Sequence, residues 1–519
     1  MAASLDLNKT DDQAQALPWY QALQNPQVLV MLFLGFAAGI PLLLIFSSLS
    51  LWLGEAGVER KAVTFFSWAA LGYSFKFVWA PLVDRLPVPY LTKAMGRRRS
   101  WLLLSQVLII VAIVLMASVD PSLGQSHLVM MAWAAVLLGF ASATQDIVID
   151  AYRIEAAEVR IQAMMSSTYI AGYRIGMVVA GAGALWIAAS LGSKKGAYLY
   201  SAWQWTYLAM AMVMLIGVAT TLIIKEPMPK KIQNQTTYTA MDYVRLVIVF
   251  ASAVVGFVAA FFILDSLFTS LTAWVGGSPL ASFLVETLRF CSAIVVAVLI
   301  GWACIKVGFV NKQLALESWV APIQEFFKRY GIKTALLLLA LIGLYRISDI
   351  VAGVSSNVFY QDLGFSKEDI AFAVKTFGVI ISIVGGFLGG IFATGLGVMP
   401  SLFLGAVLAS ASNLVFVWLA SSGKDLVVMY TAVAADNLAA GFASAAFVAF
   451  LSALTNVSFT AVQYAIFSSL MTLIPKVMGG YSGTIVDAMG YQWFFSFTAI
   501  IGVPVLILIL LIQRYVKVD

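Results

Sequence analysis

The sequence predicts an all-α integral membrane protein in which two six-helix groups flank two further spans. Three observations carry this. The chain of 519 residues is 61% hydrophobic and only 11% charged, whereas an average soluble domain carries roughly 25% charged residues. Its apolar runs are long and mostly unalternating, which suits membrane helices of about 20 residues and not barrel strands. The two groups of six also repeat short motifs in the same order.

Taking the chain in order, spans 1 to 6 are expected near 27–51, 62–82, 101–118, 128–150, 164–189 and 203–224. Spans 7 to 12 are expected near 335–357, 369–393, 399–420, 426–453, 458–477 and 491–512. Between the groups lie two inserted runs, 244–264 and 288–310, and an amphipathic stretch from Asn311 to Lys333. The count is 14 spans, and the domains follow from it. Residues 1–26 form a cytoplasmic N-terminal segment, 27–224 a first six-helix bundle, 225–334 a linker with the inserted helices, and 335–519 a second bundle. The first 26 residues contain Asp11, Asp12 and Pro18 and lack the basic-then-apolar layout of a secretory signal.

Orientation is set by Lys and Arg. Arg85, Lys93, Arg97, Arg98 and Arg99 follow span 2, and Arg153, Arg160, Lys225, Lys230 and Lys231 fall on the same side. Such loops stay in the cytoplasm, and an even number of inserted spans then places both termini there. The repeats are short and collinear. Gly139-Phe140-Ala141-Ser142-Ala143 in span 4 recurs as Gly441-Phe442-Ala443-Ser444-Ala445 in span 10, Gln162 with Ser166 and Ser167 as Gln463 with Ser468 and Ser469, and Gln204-Trp205 as Gln492-Trp493. Parallel repeats of this kind place a substrate site between the halves near the bilayer midplane.

Charges inside spans are costly and mark function by default. Asp146 and Asp150, spaced i, i+4 on span 4, share one helical face. Asp150 ends the expected span, where it can latch a gate with Asp84, Arg85 and Arg97 of the basic loop. Asp146 lies ~6 Å deeper and is the better transport residue, with Arg174 and Lys76 as candidate counter-ions. Arg346 and Asp349 are spaced i, i+3, which permits an intrahelical ion pair. Asp436-Asn437 sits near the middle of span 10. Trp68, Tyr73, Tyr169, Tyr173, Tyr345 and Tyr464 lie inside spans, where sugars or peptide groups can stack or hydrogen-bond. From the first half Lys76, Gln145 and Arg174, and from the second Tyr345, Arg346 and Asn437, are the candidate substrate ligands. Asp146 and Asp349 are the candidate proton carriers.

Other classes are excluded. No phosphate loop or zinc-type His or Cys cluster occurs, so neither ATP, a cofactor nor a metal is expected. Cys291 and Cys304, the only cysteines, lie in one apolar run, and no structural disulfide is expected. The lone histidine, His127, sits at a helix mouth, so any proton movement falls to carboxylates. The net charge of +6 reflects cytoplasmic loops, and nothing points to nucleic acid.

Ala80-Pro81-Leu82-Val83-Asp84-Arg85 followed by Gly96-Arg97-Arg98-Arg99 resembles the signature between the second and third helices of the major facilitator superfamily, with a longer insert carrying Pro87 and Pro89. Further stretches are similar to the AmpG muropeptide permease family. These are Leu34 to Pro41, Phe75 to Arg85, Gly96 to Trp101, Ser142 to Ala151, Gly172 to Met177, Tyr345 to Asp349 and Phe359 to Ser366. The resemblance covers both six-helix groups and is weakest over the linker. It implies a major facilitator fold and a multi-pass importer in the inner membrane of Gram-negative bacteria. Its cargo would be N-acetylglucosamine joined to 1,6-anhydro-N-acetylmuramic acid, with or without peptide, carried with protons for cell-wall recycling. Related acetyl-CoA transporters share the Gln145-Asp146 element, and a drug exporter of the same fold or a non-transporting receptor are the other readings. The polar set Lys76, Gln145, Asp146, Arg174, Arg346 and Asp349 suits a zwitterionic cargo better than an apolar drug.

Overall fold

A computed structural model describes residues 21, 24–58, 71–157, 159–194, 196–227, 238–274, 279–479 and 482–514. Thirteen helices among these are long and apolar enough to cross a membrane. The remaining expected span, near 62–82, is described only from Leu71 onward, and Trp68 lies outside the described residues. No strand occurs among the described residues, because a backbone in lipid must satisfy its own hydrogen bonds within each helix.

Small residues set how closely the helices approach. Gly35 and Gly39 on span 1 face Gly172 and Gly176 on span 5. A Cβ at any of the four would overlap a backbone carbonyl of the other helix, the small-residue packing that membrane helices use where no hydrophobic force draws them together. In the second group Gly385 and Gly389 of span 8 lie equally close to span 10. Away from the basic loop, Trp52 and Trp203 stack at 5.7 Å. The Trp203 indole donates to Glu55 at 2.8 Å, which satisfies the one polar atom that packing alone would strand.

Two spans break where charged side chains sit, and a third bends at a glycine. Span 2 passes through a tight turn at Lys76–Val78, and span 7 is split into Ile332–Leu344 and Ile347–Asp362, with Arg346 at φ −99° between them. Asp349 thereby falls in the first turn of a helix, where a carboxylate is favoured by the positive end of the dipole. Span 12 bends at Gly490, whose φ of +76° suits glycine.

Span 4 differs from its expected range of 128–150: it runs Gln125–Ala156. Hydropathy ends a span at its first charges, but charges that find partners inside a bundle do not end a helix. Asp150 therefore lies inside the helix, with Arg153 and Glu155 beyond it.

The chain divides into two compact units. The larger comprises Met1–Val83, Pro87–Lys230 and Tyr330–Asp519, and the smaller Asp84–Leu86 with Lys231–Arg329. Within the smaller unit the inserted helices Ala240–Ile263 and Pro279–Lys306 pack together. Arg289 is buried there: it pairs with Asp265 at 2.6 Å, donates to the Phe261 carbonyl at 2.9 Å and lies over the Phe261 ring.

Candidate functional site: a charge ladder between the two helix groups

Span 4 carries its polar residues as a ladder. Counting from Ala156 at 1.5 Å per residue, Glu155, Arg153, Asp150 and Asp146 stand at about 2, 5, 9 and 15 Å.

The lower rungs join the two groups. Arg98 donates to both Glu155 oxygens, at 3.0 and 2.5 Å, and to Thr460 Oγ1 of span 11 at 2.9 Å. The Thr460 hydroxyl also donates to Glu155. Arg153 is wholly buried, pairs with Asp150 at 3.1 Å, donates to Ser452 Oγ of span 10 at 3.4 Å and lies 5.0 Å from the Tyr464 ring centroid. Nearby, Gly390 of span 8 lies so close to span 5 that a Cβ there would strike Ser167. The halves thus meet at the end that carries the basic loop.

Asp150 takes Lys76 as its second partner, with Nζ at 3.4 Å from Oδ2. This corrects two expectations. Lys76 makes its direct ion pair with Asp150 and lies within electrostatic reach of Asp146, because the tight turn in span 2 aims its stem across to span 4. Asp150, being inside the helix, holds Lys76 and Arg153, while the loop arginine Arg98 goes to Glu155.

Asp146, one turn deeper, is nine-tenths buried, and its Oδ1 has no hydrogen-bond partner among the described residues. Neither amide atom of the fully buried Gln145 has one. An unpaired buried polar group costs about 1–3 kcal/mol, and groups left in this condition are candidates for a ligand, water or a proton. Around Asp146 stand Tyr73, Tyr169, Tyr173 and Tyr464, all within electrostatic reach.

Across the interface, Arg346 donates through Nε to Asp349 Oδ2 at 2.9 Å, makes a second bond to the same oxygen through Nη2, and donates through Nη1 to Ser444 Oγ at 2.8 Å. The pair expected from i, i+3 spacing is present. Ser444 belongs to the repeated Gly-Phe-Ala-Ser-Ala motif, and its counterpart Ser142 faces Tyr73. Arg174 of the first group lies within electrostatic reach of Arg346, Asp349 and Asp436. Two cations and two carboxylates therefore gather from spans 5, 7 and 10. Arg346 and Asp349 keep 20% and 17% of their side-chain surface open although they lie in mid-span, so space reaches them.

The remaining candidates divide. Asn437 is half-buried and donates to the Val433 carbonyl at 3.0 Å, which leaves its carbonyl oxygen available. Tyr345 is not placed as a cargo ligand: its hydroxyl donates to the Leu402 carbonyl at 3.0 Å, and its ring stacks on Phe447 with centroids 4.3 Å apart. The small Gly405 beside its hydroxyl draws the ring into the core of the second group. Asp84 is buried at the end of the Ala80–Arg85 helix. Arg85 pairs with Glu317 of the linker at 3.4 Å, while Arg97 is within electrostatic reach of Glu155.

Sequence reasoning overlooked Arg153, Glu155, Ser452 and Thr460 as site residues. Arg153 counted only as a marker of sidedness, although its i, i+3 spacing from Asp150 signalled a pair. Glu226 was also missed. Its two oxygens accept the backbone N–H groups of Arg98 and Arg99 at 2.8 and 3.0 Å, capping span 3.

Residues 30–350 match the model of the Major Facilitator Superfamily. The anhydromuropeptide permease of Escherichia coli (strain K12) is 30% identical over 497 residues, covering 96% of this chain and 82% of that protein. A protein of Rickettsia felis named putative transporter AmpG 4 is 29% identical over 485 residues, covering 93% and 96%. Among solved structures, the proton:xylose symporter XylE bound to 6-bromo-6-deoxy-D-glucose aligns with a TM-score of 0.58 at 13% identity, over 95% of each chain. The human organic anion transporter MFSD10 (TETRAN) aligns at 0.54 and 12%, over 95% of this chain and 99% of that one; at these identities the two structures speak to fold alone. This chain belongs to the Major Facilitator Superfamily, among the AmpG permeases, and is a membrane transporter and not an enzyme.

Proposed function

We propose that the protein imports anhydro-muropeptides across the bacterial inner membrane together with protons. The observation that carries this reading is the facing of Arg174 by Arg346, Asp349 and Asp436, together with the Gln145 amide and Asp146 Oδ1, which have no hydrogen-bond partner among the described residues. Muropeptides bear carboxylates on their lactyl and peptide parts, which suit the guanidinium forks of Arg174 and Arg346. Their peptide amines suit Asp349 and Asp436, and their acetamido groups and hydroxyls suit Gln145 and Asn437. The tyrosines around Asp146 offer faces for sugar rings. Asp146 is the proposed proton carrier, because a buried carboxylate without a fixed partner can change protonation when water or a cation reaches it. Asp349 is the second candidate, its proton exchange linked to release of Arg346.

In this reading residues 27–224 and 335–519 rock against each other about the site. Residues 225–334 link them, and both termini and the basic loop lie in the cytoplasm. Asp84, Arg85, Arg97 and Asp150 belong to the cytoplasmic gate, with Arg98, Arg153, Glu155 and Thr460 added to it. The relatives' names favour this cargo over acetyl-CoA or an apolar drug. The test is uptake of radiolabelled N-acetylglucosaminyl-1,6-anhydro-N-acetylmuramyl-tripeptide into vesicles. Accumulation above equilibrium with an inward proton gradient and none without it is expected. Equal uptake in both conditions refutes the coupling, and no uptake in either refutes the cargo.

A further inference from the structure

The linker stretch from Lys312 to Tyr330 has no part in the transport scheme, yet it is built for a surface. Lys312–Ala315, Leu316–Val320 and Ala321–Tyr330 form one continuous helical rod, its middle turn wound wider than the rest. One face, with Leu314, Ala315, Ser318, Pro322 and Phe326, is buried. A second face carries Leu316, Val320 and Ile323, exposed by 40%, 36% and 47%. Their spacing of four and three residues draws a single apolar stripe. Exposed lysines, Lys306, Lys312, Lys328 and Lys333, stand along and beyond the rod.

The rod cannot move far from the membrane. Five residues, 307–311, separate it from the inserted helix ending at Lys306. One residue, Gly331, separates it from span 7, and its φ of +73° ends the rod as glycine readily does. Both ends are thus tied by short connections to the ends of membrane helices, which keeps the rod near the membrane surface. The flanking Val307 and Ile332 are also widely exposed. From the other side Glu317 is clasped within its own unit. Arg85 donates to its backbone carbonyl at 3.3 Å and pairs with its carboxylate at 3.4 Å, Tyr238 donates to that carboxylate at 3.0 Å, and so does Gln313 at 2.9 Å.

We propose that the Lys312–Tyr330 rod is an interfacial membrane anchor. Its Leu316, Val320 and Ile323 stripe is seated in the headgroup boundary of an anionic phospholipid leaflet, and its lysines bind the headgroups. An apolar stripe bordered by lysines on a helix held at the bilayer surface has the chemistry of such anchors, which sink ~5–10 Å into the boundary. The lysines give the anionic leaflet preference, because basic side chains near a negatively charged headgroup surface are drawn to it. The clasp on Glu317 holds the rod's orientation and fixes Arg85 of the loop after span 2 to it. The anionic leaflet is the cytoplasmic one if the orientation proposed above holds, but the seating itself depends on neither cargo nor coupling.

The test uses the full chain with Cys291 and Cys304 replaced by Ser, reconstituted in vesicles of phosphatidylethanolamine with 30% phosphatidylglycerol. Nitroxide labels are placed singly at Val320→Cys, Ile323→Cys and, for comparison, Lys328→Cys. Power saturation should show the first two reached by oxygen and shielded from a water-soluble nickel chelate, with the ratio shifted several-fold from that at position 328. Replacing Lys312, Lys328 and Lys333 with Gln in the Val320→Cys chain should raise nickel access. Nickel access at 320 and 323 equal to that at 328 would place the stripe in water and overturn the proposal. Shielding from both probes would mean that protein covers it and would overturn the proposal equally. Because uptake is not measured, failure of the transport reading leaves this outcome unaffected.

Discussion

Replacing Arg153 with Met should unlock the closed end of the transporter. The guanidinium spans the two halves: it pairs with Asp150 on its own helix and reaches Ser452 and the Tyr464 ring on the other half. The cross-half part sets the effect. A desolvated cation–π contact is worth about 2 kcal/mol, and a long hydrogen bond from a charged donor about 1 kcal/mol. A loss of about 3 kcal/mol shifts a two-state balance roughly 100-fold, at tenfold per 1.4 kcal/mol. Asp150 keeps Lys76 at 3.4 Å, so the buried carboxylate is not orphaned and the protein should fold. Nitroxide labels at Lys93→Cys and Ser458→Cys, both exposed at this end, report the gap by double electron–electron resonance in a background without native cysteines. The parent should show one short distance and Arg153→Met a dominant longer one. Tyr464→Leu, which removes only the ring contact, should shift the balance about two-thirds as far on a logarithmic scale. A distribution in Arg153→Met identical to the parent's, in folded protein, would refute the latch.

Asp146→Asn should abolish accumulation driven by a pH gradient while leaving expression normal, and vesicle uptake at matched and unmatched pH reads this directly; wild-type accumulation would remove Asp146 from coupling. Arg346→Lys keeps the charge but loses the fork that grips Asp349 and Ser444 together. Binding of anhydro-muropeptide to detergent-purified protein should weaken roughly 10- to 100-fold, the value of one charged hydrogen bond, and undiminished affinity would reduce Arg346 to a partner of Asp349. Thr460→Val removes the hydroxyl shared by Arg98 and Glu155 and should raise access of a thiol reagent to the loop end, with little change in cargo binding. Gly172→Ala should cost at least the 1–3 kcal/mol typical of overpacking, because its Cβ would strike the Leu32 carbonyl; a thermal melt in detergent measures it.

The spans were readable because a bilayer makes each one a local problem. A run of apolar residues must close its own hydrogen bonds, so thirteen of the fourteen expected crossings appear among the described residues, the other being described in part. The Arg346–Asp349 pair was readable for a similar reason, since three residues along a helix is a local distance. The carboxylates of span 4 stood out because charge inside an apolar run is costly wherever the helix goes.

What the sequence could not assign was partnership. Lys76 lies 70 residues from Asp146 and 74 from Asp150, and only the turn at Lys76–Val78 decides which one it meets. Arg153 looked like a loop charge that marks sidedness, and tertiary packing buried it between two halves. Tyr345 looked like a hydroxyl facing cargo, and the space left by Gly405 turned it into the core. Composition and spacing act along the chain, so by itself the sequence determined the membrane class, thirteen of the helical crossings and which carboxylates fall inside them. The partners that come from other helices, Lys76 for Asp150 from 74 residues away and Arg98 for Glu155 from 57, depend on how those helices are brought together, and only the tertiary structure decided them.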